Sequence, residues 1–255
     1  ASGFGRVICQ KAVSAGAKVV CADINEGLLN TVVQELIGAG GRAIGQHTDV
    51  SDLSQMRGLA TKAVEHFGRI DVMVNNAGVM PLAFYADHAD ASAKWSQCID
   101  INIKGVLHGI ISVYDQMMAQ EEGHVINISS IYGNFPVAGA GVYGASKAAV
   151  NFLSESLRVE ARGKIKVTTV KPTGVPATGL SAGIVNPEAV IGIVGQNQPE
   201  FQSTMQSIAD GQVDPKVVNQ DSMGCAVLEP ASIADQVLYA INQPKGVTVG
   251  DITMR

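Results

Sequence analysis

The sequence predicts an α/β fold in which a doubly wound parallel sheet is flanked by helices on both faces. Short apolar runs alternate with amphipathic segments along the chain, which is the pattern of β–α–β units. The apolar runs lack strict alternation with polar residues, as expected of strands buried on both faces. With 255 residues, 46% of them hydrophobic and 16% charged, the chain can bury a sizeable core. Because no internal repeat or linker divides it, we expect a single domain over residues 1–255.

The elements follow from the apolar pattern in chain order, and the first helix begins directly after the glycines of residues 1–5. Strands are predicted at residues 18–22, 42–47, 71–74, 124–128, 166–170 and 247–252. Further helices are predicted at residues 26–39, 52–67, 103–120, 142–161 and 231–242. Ser51 is the expected N-cap of the helix at 52–67, which should end at Gly68. Residues 173–230 are long, irregular and rich in Gly, Pro and Gln, so we expect a substrate-binding lid there.

Composition argues against several classes of protein. The net charge is −5 with both signs scattered, so a nucleic-acid partner is not expected. No apolar run is long enough to cross a bilayer, and we expect no membrane partner. The four cysteines, Cys9, Cys21, Cys98 and Cys225, form no C-x-x-C pair and no zinc spacing. We therefore predict no metal site and a reducing, cytoplasmic location.

The most informative chemical pattern is Tyr143-x-x-x-Lys147, with Ser130 preceding it. The spacing places Tyr143 and Lys147 on one face of a helix. A free tyrosine has a pKa of about 10, and a nearby ammonium group lowers it. Tyr143 could then exchange a proton with a substrate oxygen at neutral pH. Taken alone, the pair more readily describes an exposed helix on which Tyr143 packs and Lys147 is solvated.

A dinucleotide site is indicated by the beginning of the chain. Gly3 and Gly5 stand at the N-terminus of a helix, where backbone amides and the helix dipole favour a pyrophosphate. A flexible terminus is the alternative. Asp23 ends the next strand, where a carboxylate can bind the adenosine ribose and repel a 2′-phosphate. No Lys or Arg follows until Arg42, which favours NAD over NADP, although Asp23 could instead serve a turn or cap a helix.

Three further polar positions follow predicted strands or begin helices. Asp49 and Val50 follow the second strand, where the carboxylate could meet the adenine amino group. The run 75–78 (Asn-Asn-Ala-Gly) follows the third strand, and its small residues let the backbone approach a ligand, although a plain turn also fits. Asn102 begins a long helix, where a polar side chain is more often a cap than a catalyst.

Taken together and in this order, these motifs resemble those of the short-chain dehydrogenase/reductase (SDR) family over nearly the whole chain. Each motif is common by itself, but the full set in register is highly specific. The resemblance implies one NAD(P)-binding domain with a Rossmann-type sheet. It also implies hydride transfer at nicotinamide C4, and a homotetramer or dimer built partly on the two long helices.

The resemblance also implies a role for each matching residue. Tyr143 is the general acid/base, and Lys147 lowers the pKa of Tyr143 and binds the nicotinamide ribose. Ser130 donates a hydrogen bond to the substrate oxygen, and Asn102 holds a water that links Lys147 to solvent. The implied cofactor-binding residues are Ser2, Gly3, Phe4, Gly5, Asp23, Asp49, Val50, Asn76, Ala77, Gly78, Tyr143, Lys147, Pro172, Thr173 and Val175.

The sequence departs from the family pattern in two places. The family begins with Thr-Gly on a central strand, which is absent here, and a sheet without that strand would expose unpaired backbone. We therefore expect the natural chain to begin roughly a dozen residues or more before residue 1, the alternative being a truncated relative with impaired cofactor binding. The usual Pro-Gly after the fifth strand is Pro172-Thr173-Gly174 here, which puts the backbone path beside the nicotinamide amide in question.

These observations predict an NAD-dependent alcohol dehydrogenase or ketone reductase. Between residues 172 and 224 the lid contains one basic residue, Lys216, among many apolar ones. A carboxylate or phosphate on the substrate would normally need a fixed cation, so we expect a neutral, fairly apolar secondary alcohol or ketone. The alternatives are a non-catalytic cofactor-binding protein and a lyase on a related fold, and Lys147 and Asp23 argue against the lyase.

Overall fold

Parallel strands form the central layer of the protein. The computed structural model describes residues 1–175, 178–195, 198–212, 214–225 and 227–254. The strands are β1 (Lys18–Asp23), β2 (Arg42–His47), β3 (Val72–Asn75), β4 (Gly123–Ile128), β5 (Ile165–Pro172) and β6 (Asp251–Met254). Every strand pairing among the described residues is parallel, which confirms the predicted fold class.

Helices connect successive strands and cover the sheet. They are α1 (Gly3–Ser14), α2 (Glu26–Gly38), α3 (Leu53–Phe67), α4 (His88–Ile99), α5 (Gly105–Gln120), α6 (Gly141–Glu160), α7 (Ile191–Val194), α8 (Gln198–Ala209), α9 (Pro215–Val218) and α10 (Pro230–Ile241). One buried apolar cluster joins β4 and β5 to α5 and α6, and a second joins the same strands to α1 and α10. Helices therefore pack on both faces, as expected of a doubly wound sheet.

The sheet is divided into two parts. β1 pairs with β2, and β3 to β6 pair in sequence order. Within the described residues β1 and β3 are not hydrogen-bonded to each other, and residues of both strands line one cavity. The β1–β2 pair has a separate apolar cluster that includes Leu29, Val32 and Leu36 of α2.

Four predicted features differ from the structure. The last strand, expected over residues 247–252, forms over Asp251–Met254. Asp52, not Ser51, caps α3, because the Asp52 carboxylate accepts hydrogen bonds from the amides of Ser54 and Gln55. The helix expected to start near residue 103 is preceded by α4 and a wide π-helical turn over Asp100–Lys104. The segment 173–230 is not wholly irregular, since it contains α7, α8 and α9. None of the described helices is long and apolar enough to cross a membrane.

Candidate active site

Tyr143 and Lys147 lie near the start of α6 and are both buried, with 4% and 5% of their surfaces exposed. The Lys147 Nζ is 5.9 Å from the centre of the Tyr143 ring. Lys147 also donates a hydrogen bond of 2.9 Å to the Ile128 carbonyl at the end of β4. The alternative of an exposed helix with a solvated lysine is therefore wrong.

Burial dominates the electrostatics of this pair. It raises the pKa of Tyr143 to about 12, while an interaction with the Ser130 hydroxyl opposes the rise. Burial also lowers the pKa of Lys147 to about 8, because a charged ammonium is poorly solvated there. Tyr143 therefore does not have the lowered pKa that the Tyr143–Lys147 spacing suggested, because desolvation of the phenolate dominates. Lys147 Nζ lies 5.9 Å from the centre of the ring, and its effect on this pKa stays a prediction.

Ser130 is the second residue after β4 and is 3% exposed. Its hydroxyl accepts a hydrogen bond of 3.3 Å from the Tyr132 amide. The neighbouring Ser129 hydroxyl binds the Asn151 side chain at 2.7 Å, which ties the end of β4 to α6. The two segments are closely packed here, since a Cβ on Gly144 of α6 would lie 2.9 Å from the Tyr132 carbonyl oxygen. Only glycine allows this approach. The fold thus holds Ser130 beside the helix that carries Tyr143 and Lys147.

Asn102 lies in the π-helical turn between α4 and α5 and is fully buried. Its Oδ1 accepts a hydrogen bond from the Val79 amide at 2.9 Å, and its Nδ2 donates to the Val79 carbonyl at 3.0 Å. The same Nδ2 donates to the Ser146 hydroxyl at 2.9 Å. The side chain therefore clamps the loop after β3 to α6, and it does not cap a helix.

Gly78 lies next to both the Asn102 side chain and Lys147. A Cβ added to Gly78 would lie 3.3 Å from Asn102 Oδ1 and 3.4 Å from Lys147 Nζ. The backbone after β3 therefore passes directly over the Lys147 ammonium group. Residues 75–78 form part of the same site and not a remote turn.

The glycine-rich turn packs against two other segments of the site. Gly3 has φ +46°, and a Cβ there would lie 2.9 Å from the Thr178 carbonyl oxygen. A Cβ on Gly5 would lie 2.9 Å from Asn76 Nδ2. Side chains at these positions would fill the cradle at the N-terminus of α1, which glycine leaves open for a pyrophosphate.

The two aspartates of the expected adenosine site both lie at its wall. Asp23 Oδ1 accepts from the Asn25 amide at 2.8 Å. Asn25, not Asp23, caps α2. Asp49 Oδ1 accepts from the Ser51 hydroxyl at 2.7 Å. Asp23 therefore supports a turn as well as facing the cavity.

One cavity of about 1160 Å³ joins these groups. It is lined by all of the predicted site residues except Asn102, namely Ser2, Gly3, Phe4, Gly5, Asp23, Asp49, Val50, Asn76, Ala77, Gly78, Ser130, Tyr143, Lys147, Pro172, Thr173 and Val175. Asn102 does not line the cavity but hydrogen-bonds Val79, which does. The open glycine cradle at the N-terminus of α1 suits the pyrophosphate of a dinucleotide.

Comparison with known proteins decides the family. The sequence matches the short chain dehydrogenase family over residues 1–189. The chain belongs to the SDR family. An uncharacterised oxidoreductase of Listeria innocua is 32% identical over 254 residues, which is 99% of this chain and 92% of that protein.

Solved structures of SDR proteins agree with this assignment. An SDR from Burkholderia phymatum in complex with NAD is 31% identical and has a TM-score of 0.76, covering 99% of this chain and 85% of that chain. A metagenomic short-chain oxidoreductase in complex with NADP is 28% identical with a TM-score of 0.74, covering 99% and 91% of the two chains. The predicted family and fold are thus confirmed, and this chain is an SDR oxidoreductase. These two structures hold different cofactors and do not choose between NAD and NADP.

Sequence reasoning missed two residues of the SDR site, Ser146 and Cys98, as well as the polar contacts of Tyr132. Tyr132 lines the cavity, and its hydroxyl donates to the Ile193 carbonyl of α7 at 3.3 Å while accepting from Thr173 Oγ1 at 3.5 Å. Ser146 and Cys98 complete the buried contacts of Asn102. Ser146 stands next to Lys147 in the sequence. Its contact with Asn102 is evident only from the structure, in which a π-helical turn joins α4 to α5.

Proposed function

We propose that this SDR transfers a hydride between NAD(H) and a neutral, fairly apolar secondary alcohol or ketone. The observation that carries the proposal is that Tyr143, Ser130 and Lys147 line the same cavity as the glycine-rich turn and Asp23. The cavity therefore brings a proton donor and a dinucleotide site to the same carbon–oxygen bond of a substrate.

Tyr143 has the central role in the proposed mechanism. In the reductive direction its hydroxyl gives a proton to the substrate oxygen, to which Ser130 also donates a hydrogen bond. The cofactor, when bound, supplies the hydride or accepts it. Because the pKa of Tyr143 is raised to about 12, the phenol is its resting form, which suits donation to a ketone. In alcohol oxidation the Lys147 ammonium stabilises the phenolate that forms as Tyr143 removes the hydroxyl proton.

Asp23 supports NAD as the preferred cofactor, because its carboxylate would repel a ribose 2′-phosphate. We expect Asp23→Ala to raise the kcat/KM with NADP relative to NAD by about tenfold, the effect of about 1.4 kcal/mol of removed repulsion. Steady-state kinetics with both cofactors measure this ratio. Glu65→Ala, which removes an exposed carboxylate of α3, is the matched control and should leave the ratio unchanged. Equal efficiency of the unchanged protein with NAD and NADP would refute the preference.

The lining of the lid supports an uncharged substrate. Among the described residues of the lid, those that line the cavity carry no charge. The apolar ones are Val175, Leu180, Ile184, Val190, Ile193, Val194, Phe201 and Val227. An anionic substrate would lack a fixed cation on this side of the cavity. The same wall would exclude water from the reacting atoms.

The central test is Tyr143→Phe. Removal of the hydroxyl should lower kcat with a responsive alcohol by at least about a hundredfold, since general acid–base catalysis contributes at least this much. NADH formation is followed across a panel of apolar secondary alcohols, and NADH binding is measured by fluorescence. Tyr239→Phe, on the exposed face of α10, should retain full activity. Full activity of Tyr143→Phe would show that the mechanism is wrong.

The alternative function is cofactor binding without catalysis. It would be favoured if the unchanged protein bound NADH but turned over no member of a broad panel of alcohols and ketones. The presence of Ser130, Tyr143 and Lys147 together argues against it. All three are buried and line one cavity, and cofactor binding alone does not require a hydroxyl, a phenol and an amine at the place where a substrate would react.

An oligomer, either a tetramer or a dimer, is also part of the proposal. Phe152 and Val159 on α6 are 77% and 75% exposed and lie two turns apart on one face. Leu107 and Ile111 form a similar apolar strip on α5. Large apolar side chains in such strips are typical of subunit interfaces. The free thiols of Cys9, Cys21, Cys98 and Cys225 are compatible with the proposed cytoplasmic location.

A further inference from the structure

Cys9 and Cys21 form a close thiol pair at the adenosine end of the cavity. The two Sγ atoms are 3.6 Å apart, with Cys9 on α1 and Cys21 on β1. Both residues line the cavity, and Cys9 is half-buried while Cys21 is 4% exposed. The other cysteines have no such partner among the described residues, since Cys98 contacts Asn102 and Ser146, and Cys225 contacts Gln220.

We infer that Cys9 and Cys21 are an oxidation site at which a hydroperoxide converts the two thiols into a disulfide, and that this cross-link weakens cofactor binding. A disulfide has an S–S distance of about 2.05 Å, so the sulfurs must approach by roughly 1.5 Å. Closing that gap requires movement of the side chains, of α1 against β1, or of both.

The environments of the two thiols give them different parts in the reaction. The Cys21 thiol donates a hydrogen bond to Cys9, which lowers the pKa of Cys9 and raises that of Cys21. Cys9 is also the more exposed of the two. Cys9 is therefore the attacking thiolate, and Cys21 is the thiol that closes the bridge.

The chemistry balances in two steps. The Cys9 thiolate attacks one peroxide oxygen, the O–O bond breaks, and the other oxygen leaves as water or an alcohol after taking a proton. The Cys21 sulfur then attacks the sulfenic acid of Cys9, the S–O bond breaks, and water leaves with the Cys21 thiol proton. The two sulfurs together lose two electrons, and the peroxide gains them.

The position of the pair connects this reaction to the cofactor site. Cys9 lies one turn beyond Gly5 on the helix whose N-terminus forms the glycine cradle. Cys21 lies two residues before Asp23 on β1. A bridge between them would displace the cradle relative to Asp23, the two features proposed to hold the pyrophosphate and the ribose. The effect on the cofactor rests on the proposed function, whereas formation of the cross-link does not.

The test begins with hydrogen peroxide as the probe. We expect the intact protein to lose about 2 Da, reversibly with dithiothreitol, and a tryptic digest to contain a Cys9–Cys21 disulfide peptide. Cys21→Ser should stop at the sulfenic acid of Cys9, which dimedone traps as an adduct. Cys9→Ser should give neither product, and Cys225→Ser should behave like the unchanged protein. Circular dichroism of each reduced variant checks that it is folded.

Binding of NADH, followed by fluorescence, tests the consequence. Oxidation should raise the Kd by roughly threefold or more, because misplacement of a positioned contact by about 1 Å is costly. The rise should be absent in Cys9→Ser. If no disulfide forms while the reduced protein binds NADH, the oxidation site is refuted and the proposed function stands. If the disulfide forms with an unchanged Kd, the coupling to the cofactor is refuted. If the reduced protein does not bind NADH, the proposed function itself fails.

Discussion

His124 is a buried base in the middle of the sheet, with 3% of its surface exposed. The Thr168 hydroxyl donates to the Val249 carbonyl, so the His124 Nε2–H must donate to Thr168 Oγ1, 2.8 Å away. Nδ1 has no hydrogen-bond partner among the described residues. Burial, with a smaller contribution from the charge of Lys166, lowers the pKa of His124 to about 4. The fold thus holds this imidazole in its neutral form.

This histidine should make the protein sensitive to mild acid. An unfolded histidine has a pKa of about 6.5, so its contribution to stability is present above that pH and is lost as the pH falls towards 4. Between pH 7.5 and pH 5 we expect a loss of about 2 kcal/mol in the free energy of unfolding from this group. Urea unfolding at both pH values measures the loss. His124→Gln keeps a donor to Thr168 but does not titrate, so its loss should be smaller by that amount, and equal losses would contradict the assignment.

Single residues also show what the sequence could and could not predict about the site. Tyr143, Lys147 and Ser130 were predicted from the ordered set of motifs that resembles the SDR family, because the Tyr143–Lys147 spacing alone favoured an exposed helix. The raised pKa of Tyr143 was not predictable, because it depends on how much of the surrounding fold excludes water. The partners of Asn102 were equally hidden, since Val79 and Ser146 are distant in sequence.

At the scale of elements, Tyr132 links three parts of the SDR site. It lies two residues after Ser130 beyond the end of β4, and its hydroxyl contacts α7 of the proposed lid and Thr173 after β5. Its ring also packs edge-on against Phe135, with centroids 6.1 Å apart. The Tyr132 side chain therefore connects the proposed lid to the segment after β4 that carries Ser130.

Removal of this link should loosen the lid. We expect Tyr132→Phe to raise KM for an apolar ketone by roughly fivefold, the effect of one lost hydrogen bond of about 1 kcal/mol. The kcat should change by less, because Tyr143 and Lys147 are untouched. Thr173→Val removes only the longer contact of 3.5 Å and should have a smaller effect on KM. Steady-state kinetics distinguish the two variants, and an unchanged KM in Tyr132→Phe would show that the lid is held elsewhere.

Element boundaries show where sequence patterns are sufficient. The helices and strands around β2, α3 and α6 were predicted closely, because clear apolar periodicity and a stop signal such as Gly68, at φ 82°, are local. The α4 helix was missed, since its sequence has few apolar residues and buries only Ala91 and Cys98. Its continuation through a π-helical turn places Asn102 against the loop after β3, and this tertiary contact is not visible in a local pattern.

At the scale of the whole molecule, the exposed apolar strip on α6 predicts self-association. We expect Phe152→Glu combined with Val159→Glu to convert the oligomer into monomers, because two charges would be buried without partners at the interface. Size-exclusion chromatography with light scattering measures the mass. Ile37→Glu, which changes an apolar residue of α2 that is 47% exposed, should leave the mass unchanged. A monomeric unchanged protein would refute the proposed oligomer.

Separate apolar clusters hold the two sides of the cofactor site. β4 and β5 share clusters with α1, α5, α6 and α10. β1 and β2 pack with α2 in a cluster of their own. Asp23 lies on β1 and Lys147 on α6. A dinucleotide held at both residues would therefore connect separately packed parts of the chain, and its binding would stabilise the folded protein as a whole.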